Sequence, residues 1–170
     1  DSSRFTFLYN QRGHQVLRIC AVDATSGEVS AVIDEASDTF VDYAYKKYSY
    51  YLDENQEIIW MSERDGWNHL YLYDAQQGTV KQQITSGPWV VRGVERVDPE
   101  SRTIWFRASG IDPDQDPYYI HYCRIQFDGS GLVRLTRGDG THSIQYSPDR
   151  DLLVDTYSRV DMPPVSELRR

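Results

Sequence analysis

The stretch EIIWMSERDGWNHLYLYDAQQGTVKQQITSG, Glu57 to Gly87, runs in short segments of period two, broken at Asp65-Gly66 and Gln77-Gly78. Alternation of that kind reads as strand, and the Gly dipeptides read as turns between strands. The same plan returns in RTIWFRASGIDPDQDPYYIHYCRIQFDGSGLVRLTRG, Arg102 to Gly138. Each unit goes strand, turn or loop, strand ending near an aspartate, glycine turn, then a strand leading to Thr and Gly. An earlier unit, RFTFLYNQRGHQVLRICAVDATSGEVSAVIDE, Arg4 to Glu35, sets Val22-Asp23 where the next has Tyr73-Asp74. The Ile-Trp pairs at 59–60 and 104–105 stand 45 residues apart. Between units lies one further extended piece ending in a turn: YKKYSYYLDEN, VVRGVERVDPE and HSIQYSPDR.

A period near 45 with four strands per unit is the signature of a β-propeller. The fold class is therefore all-β: a partial propeller of about three four-stranded antiparallel blades plus the start of another, in units 4–35, 40–87, 89–138 and 141–162. A sandwich would not require the order of strand, Asp and Gly turn to recur. Helix-pair solenoids are excluded, because only the last few residues leave room for a helical turn. Propellers close with roughly four to eight blades, and closure shields the flanks of each blade. Three units cannot seal a ring, so the expectation is a piece of a longer propeller with further blades on both sides.

Composition supports this and removes several function classes. Eighteen basic residues against 26 acidic ones give a net charge of −8, which argues against a nucleic-acid partner. Thirteen tyrosines suit half-buried pleated surfaces. No apolar run approaches the roughly 20 residues of a membrane helix. The chain begins at Asp1 without a leader, which reads as a trimmed chain whose compartment is not written in it. Cys20 and Cys123 sit in strand patterns and could pair, although two buried free thiols are the commoner case.

Candidates for chemistry are few. A Gly-x-Ser-x-Gly elbow is absent, and Ser130 in DGSGL reads as a hairpin turn. His14, His69, His121 and His142 show no ligand spacing, and two cysteines cannot complete a zinc set. Asp112, Asp114 and Asp116 imitate the opening of a calcium loop. Pro117 and Cys123 then stand where such a loop needs glycine and a bidentate glutamate, so no metal or cofactor is expected. The most unusual stretch is TFVDYAYKKYSYY, Thr39 to Tyr51, where aromatics interleave with Lys46 and Lys47. Its tyrosines could pack between blades while the lysines stay wet, or rings and cations could converge on a pocket for a peptide backbone or carboxylate. A sugar-binding module is a further reading, and it requires Trp60, Trp67 and Trp105 to be accessible.

Three segments resemble the N-terminal propeller of the dipeptidyl peptidase IV family. SERDGWNHLYLYD (Ser62 to Asp74) is similar to that family's blade hairpin, and ITSGPWVVRGVERVDPE (Ile84 to Glu100) to its connection into the next blade. THSIQYSPDRDLLVDTYSRVDMPPVSELR (Thr141 to Arg169) resembles the closing propeller segment that precedes the hydrolase domain. The resemblance implies a secreted or periplasmic serine peptidase that removes dipeptides from peptide N-termini. Its Ser, Asp and His triad would follow Arg170 and its substrate-gripping glutamate pair would precede Asp1. This piece would then shape the substrate chamber without being catalytic. The family's aromatic-arginine loop would fall near Thr39 to Lys47. Arginine is absent there, so Tyr43 and Tyr45 are carried over as candidate substrate contacts, with Lys46 and Lys47 beside them. The implied partners are the remaining blades, the hydrolase domain and a peptide, and bare flanks imply self-association of the isolated piece. The alternative is a non-enzymatic propeller that serves as an interaction module.

Overall fold

The structure, a computed structural model, describes residues 3–170 as two compact units divided after Gln83. The first unit holds two antiparallel sheets. One has the order β1 (Arg4–Asn10), β2 (Val16–Asp23), β3 (Val29–Ala36). The other runs β4 (Ser49–Leu52), β5 (Glu57–Ser62), β6 (His69–Asp74), β7 (Thr79–Gln83). The second unit repeats the arrangement with β8 (Val90–Asp98), β9 (Thr103–Ser109), β10 (Ile120–Gln126) and β11 (Val133–Arg134) in one meander. Its other sheet is β12 (Thr141–Tyr146), β13 (Leu153–Arg159) and β14 (Met162–Arg169). Four meanders of three or four strands make this a partial β-propeller.

The turns explain why the repeat exists. After β2, the Asp23 carboxylate accepts the backbone N–H groups of Thr25 (2.9 Å) and Ser26 (2.7 Å), and Gly27 closes the turn at φ +74°. After β6, Asp74 accepts from Gln76 (2.9 Å) and Gln77 (2.8 Å), and Gly78 closes it at φ +68°. Asp caps the free N–H groups, and Gly tolerates the left-handed conformation that follows. A second turn also recurs. The residues that lead into β5, β9 and β13 include Gln56 (φ 52°), Arg102 (φ 49°) and Arg150 (φ 62°), all left-handed and none of them glycine. The two chemistries alternate along the chain, and each sets the register of the next strand.

In the first unit the sheets pack face to face. Leu17, Ile19, Ala21, Val32 and Ile33 from one meet Ile58, Trp60, Tyr71 and Tyr73 from the other. All six residues of β5 are buried, which is why EIIWMS reads as a near-continuous apolar run between two polar ones. Each large apolar side chain so buried contributes about 1.5–3 kcal/mol.

The final strand departs from the sequence reading. Met162–Arg169 form β14, an edge strand paired with β13, where only a helical turn was anticipated. Pro163 and Pro164 are tolerated because they fall in a bulge of this edge strand, where the register shifts between Tyr157 and Arg159 and neither proline is paired. Its residues are half-buried or exposed, so the apolar alternation that marks inner strands is missing. At the other extreme, all seven residues of β1 are exposed, including Phe5, Phe7, Leu8 and Tyr9.

Candidate functional site

The loop between β3 and β4 is built on the neighbouring β1–β2 turn. The Val41 N–H donates to the His14 carbonyl (2.7 Å), and Gln15 Nε2 donates to the Asp38 carbonyl (2.8 Å). The His14 ring stacks on Tyr43 with centroids 4.3 Å apart, and Phe40 meets His14 edge-on at 5.8 Å. Asp42 then accepts the N–H groups of Ala44 (3.2 Å) and Tyr45 (3.0 Å), which turns the chain outward. The four predicted contacts consequently differ in setting. Tyr43 packs against the core of the unit, Tyr45 is 87% exposed, Lys46 pairs with Glu63 at 2.6 Å, and Lys47 is exposed.

Beside this loop is a cavity of about 200 Å³ lined by Phe40, Val41, Lys46, Glu35, Trp60 and Arg64, among others. Its floor is a network the sequence reading did not find. The Glu35 carboxylate, 8% exposed, accepts from Ser62 Oγ (2.5 Å), Trp60 Nε1 (3.2 Å) and the Arg64 guanidinium (2.5 Å). That guanidinium lies over the rings of Tyr71 (4.7 Å) and Tyr73 (5.4 Å). Burial pushes both tyrosine hydroxyls above their ordinary pKa, so they remain protonated. An arginine and aromatic rings do meet next to the candidate loop, but the arginine comes from the SERDG turn after β5. Sixty-four is not within 39–47, and only pairing across strands brings it there.

The second unit contains a His–Asp pair that imitates half of a catalytic triad. His142 Nδ1 lies 2.7 Å from Asp155 Oδ1, with both side chains fully buried. His142 Nε2 is 2.8 Å from the Gly138 carbonyl oxygen. With acceptors at both ring nitrogens and no solvent access, this histidine has no nitrogen free to serve a nucleophile. It is a structural clasp between β12 and β13. Ser130 is spent in a turn on Asp128 (N–H 2.9 Å, Oγ 2.7 Å).

Other sequence candidates are also committed locally. Asp112 is ion-paired with Arg134 and accepts the Asp114 N–H (3.1 Å), and Asp116 accepts the Tyr118 N–H (2.9 Å). Among the described residues no three His, Cys, Asp or Glu side chains gather as metal ligands. Cys20 and Cys123 are free and buried, and burial raises the Cys123 thiol to about 12. Trp60 is buried, Trp105 is half-buried beneath Arg96, and Trp67 is 43% exposed. No described helix is long and apolar enough to cross a membrane.

Four antiparallel meanders of three or four strands define a segment of a β-propeller. A family model for the dipeptidyl peptidase IV (DPP IV) N-terminal region matches residues 1–164, and the chain belongs to that family. Two solved structures are similar to it. The dipeptidyl peptidase 4 of Porphyromonas gingivalis is 22% identical, with a TM-score of 0.75 over 100% of this chain and 23% of that one. A protein assigned as a dipeptidyl aminopeptidase IV from Bacteroides ovatus is 21% identical, with a TM-score of 0.70 over 99% of this chain and 26% of its own. The chain thus spans about a quarter of the length of either structure.

Proposed function

We propose that this chain is a wall of the substrate chamber in a serine exopeptidase that removes N-terminal dipeptides, and that it performs no bond cleavage itself. The supporting observation is membership of the DPP IV N-terminal region family over residues 1–164. The remaining blades and an α/β-hydrolase domain carrying the Ser, Asp and His residues belong to the rest of the parent polypeptide, which is secreted or periplasmic. The units 4–35, 40–87, 89–138 and 141–162 each contribute to one blade. A propeller tunnel acts sterically: a narrow mouth admits short unfolded peptides and keeps folded proteins from the nucleophile. Within it, the β3–β4 loop presents Tyr45 and Lys47 to the peptide, Lys46 lines the Glu35–Arg64 cavity, and Tyr43 anchors the loop on the core.

The purified chain is expected to give no turnover of glycyl-prolyl p-nitroanilide above buffer, while the full-length protein hydrolyses it. Tyr45→Ala in the full-length protein should raise KM about threefold with kcat little changed, the mark of lost uniform binding. Turnover by the isolated chain would overturn the non-catalytic assignment. A full-length protein inert towards every dipeptidyl substrate would instead favour the interaction-module reading. The exposed apolar β1, with Phe5 at 57% and Tyr9 at 42%, is also expected to drive self-association of the isolated chain. Sedimentation showing a monomer at all concentrations would count against it.

A further inference from the structure

The chain carries a net charge of −8, yet one cleft in the second unit is built from arginines. It encloses about 300 Å³ at the end where β8 turns into β9 and β12 into β13. Arg96, Arg124, Arg150 and Arg170 line it, with Asp151 as the single acidic side chain among the lining residues. Two of these guanidinium groups are held in place by aromatic rings. Arg96 lies 5.1 Å from the ring centroid of Trp105, and Arg150 lies 4.2 Å from that of Tyr146.

Stacking fixes the plane of a guanidinium and leaves its in-plane N–H edges available. Those edges match the spacing of oxygens on a phosphate or carboxylate and bind them two at a time. Charge compensation inside the cleft is incomplete. Arg96 stands 3.4 Å from Asp98, whereas Arg124, Arg150 and Arg170 form no ion pair among the described residues. Glu95, the carboxylate whose charge acts on Tyr146, is already paired with Arg107 at 2.6 Å.

Part of this arrangement is ordinary packing. Arg102 occupies the corresponding turn before β9 and stacks on Phe127 at 4.6 Å, so an arginine on an aromatic ring is a device the repeat uses elsewhere. The β12–β13 turn differs in that three further arginines share its cleft. We propose that this cleft binds a small phosphate-bearing anion, a diphosphate or a phosphomonoester. Two to three uncompensated guanidinium groups call for a dianion or trianion, and a monocarboxylate would neutralise only one. The volume admits a small ligand. An extended polyanion such as nucleic acid would be repelled by the acidic remainder of the surface.

Titration calorimetry of the purified chain at low salt, with inorganic pyrophosphate and with phenyl phosphate as separate probes, tests the assignment. One-to-one binding is expected, weakening as sodium chloride is added. The Arg124→Gln variant should lose at least fivefold in affinity and Arg124→Gln/Arg150→Gln at least thirtyfold. Arg124→Lys should retain part of the affinity. Arg124 is exposed and unstacked, so its single variant keeps the fold, with an unchanged circular dichroism spectrum as the check. Tighter binding of pyrophosphate than of phenyl phosphate identifies a diphosphate ligand, and the reverse order a phosphomonoester. No heat with either probe at millimolar concentration, equal affinity in the double variant, or equally tight binding of succinate would each overturn the proposal.

Discussion

Asp155→Ala is expected to destabilise the second unit by about 3 kcal/mol, and to lower its thermal midpoint by roughly 10 °C or more. The side chain is fully buried and sits between two cations or potential cations. His142 is at 2.7 Å on one side, and the Arg169 guanidinium is at 3.4 Å on the other. Removing the carboxylate leaves the imidazole Nδ1 and the Arg169 guanidinium facing a cavity with no acceptor between them. An unpaired buried polar group costs more than the original bond contributed, which places this change among the large ones. Arg169 is partly rescued by Glu167, 2.6 Å away, so the damage falls mainly on His142 and on the β12–β13 ladder. Asp155→Asn keeps an acceptor for the imidazole and should cost about half as much. Hydrogen exchange along β12–β14 measures the effect where it occurs. Protection within about 0.5 kcal/mol of the parent chain in Asp155→Ala would remove the clasp from the account of stability.

Much of the fold was legible because its repeated turns are made by local chemistry. Asp23 with Gly27 and Asp74 with Gly78 each act within five residues, so a reader of sequence meets the whole device at once. Strand β14 was missed for the opposite reason. An edge strand needs no apolar face, and the Pro163-Pro164 pair points away from any regular element unless its pairing to β13 is known. The candidate site was legible only in part. The β3–β4 loop stood out through its tyrosines and lysines, but the Glu35–Ser62 and Glu35–Arg64 bonds join residues 27 and 29 positions apart. Register across two sheets creates that network, and no local pattern announces it. Trp105 carries a similar lesson. It repeats Trp60 in sequence, yet Trp60 packs into the core between two sheets while Trp105 is half-buried under Arg96 and lines a cleft.

Acidification should destabilise the second unit well before its carboxylates titrate, through His121. This ring is 1% exposed on β10, with its centroid 4.9 Å from that of His142. Its Nδ1 is 3.4 Å from Thr136 Oγ1, and its Nε2 has no hydrogen-bond partner among the described residues. The titratable and charged groups that act on it are His142, Arg134 and Asp112. Burial, followed by the neighbouring His142 and Arg134, pushes its pKa down to about 4. In the unfolded chain the ring titrates near 6.5. Between those values the unfolded chain takes a proton that the native state refuses. Stability is therefore complete above pH 6.5 and falls as pH drops towards 4, by at most about 3 kcal/mol. The carboxylates held by turn N–H groups, Asp98 and Asp128 among them, have pKa values lowered below 3.8 and act only in more acidic solution. The two contributions thus occupy separate windows. Urea titrations of the parent chain and of His121→Gln at pH 7.0, 6.0, 5.0 and 4.5 separate them: the parent should lose stability across the series, and the variant should lose markedly less. Parallel curves for the two proteins would show that the buried imidazole is not the proton-linked group.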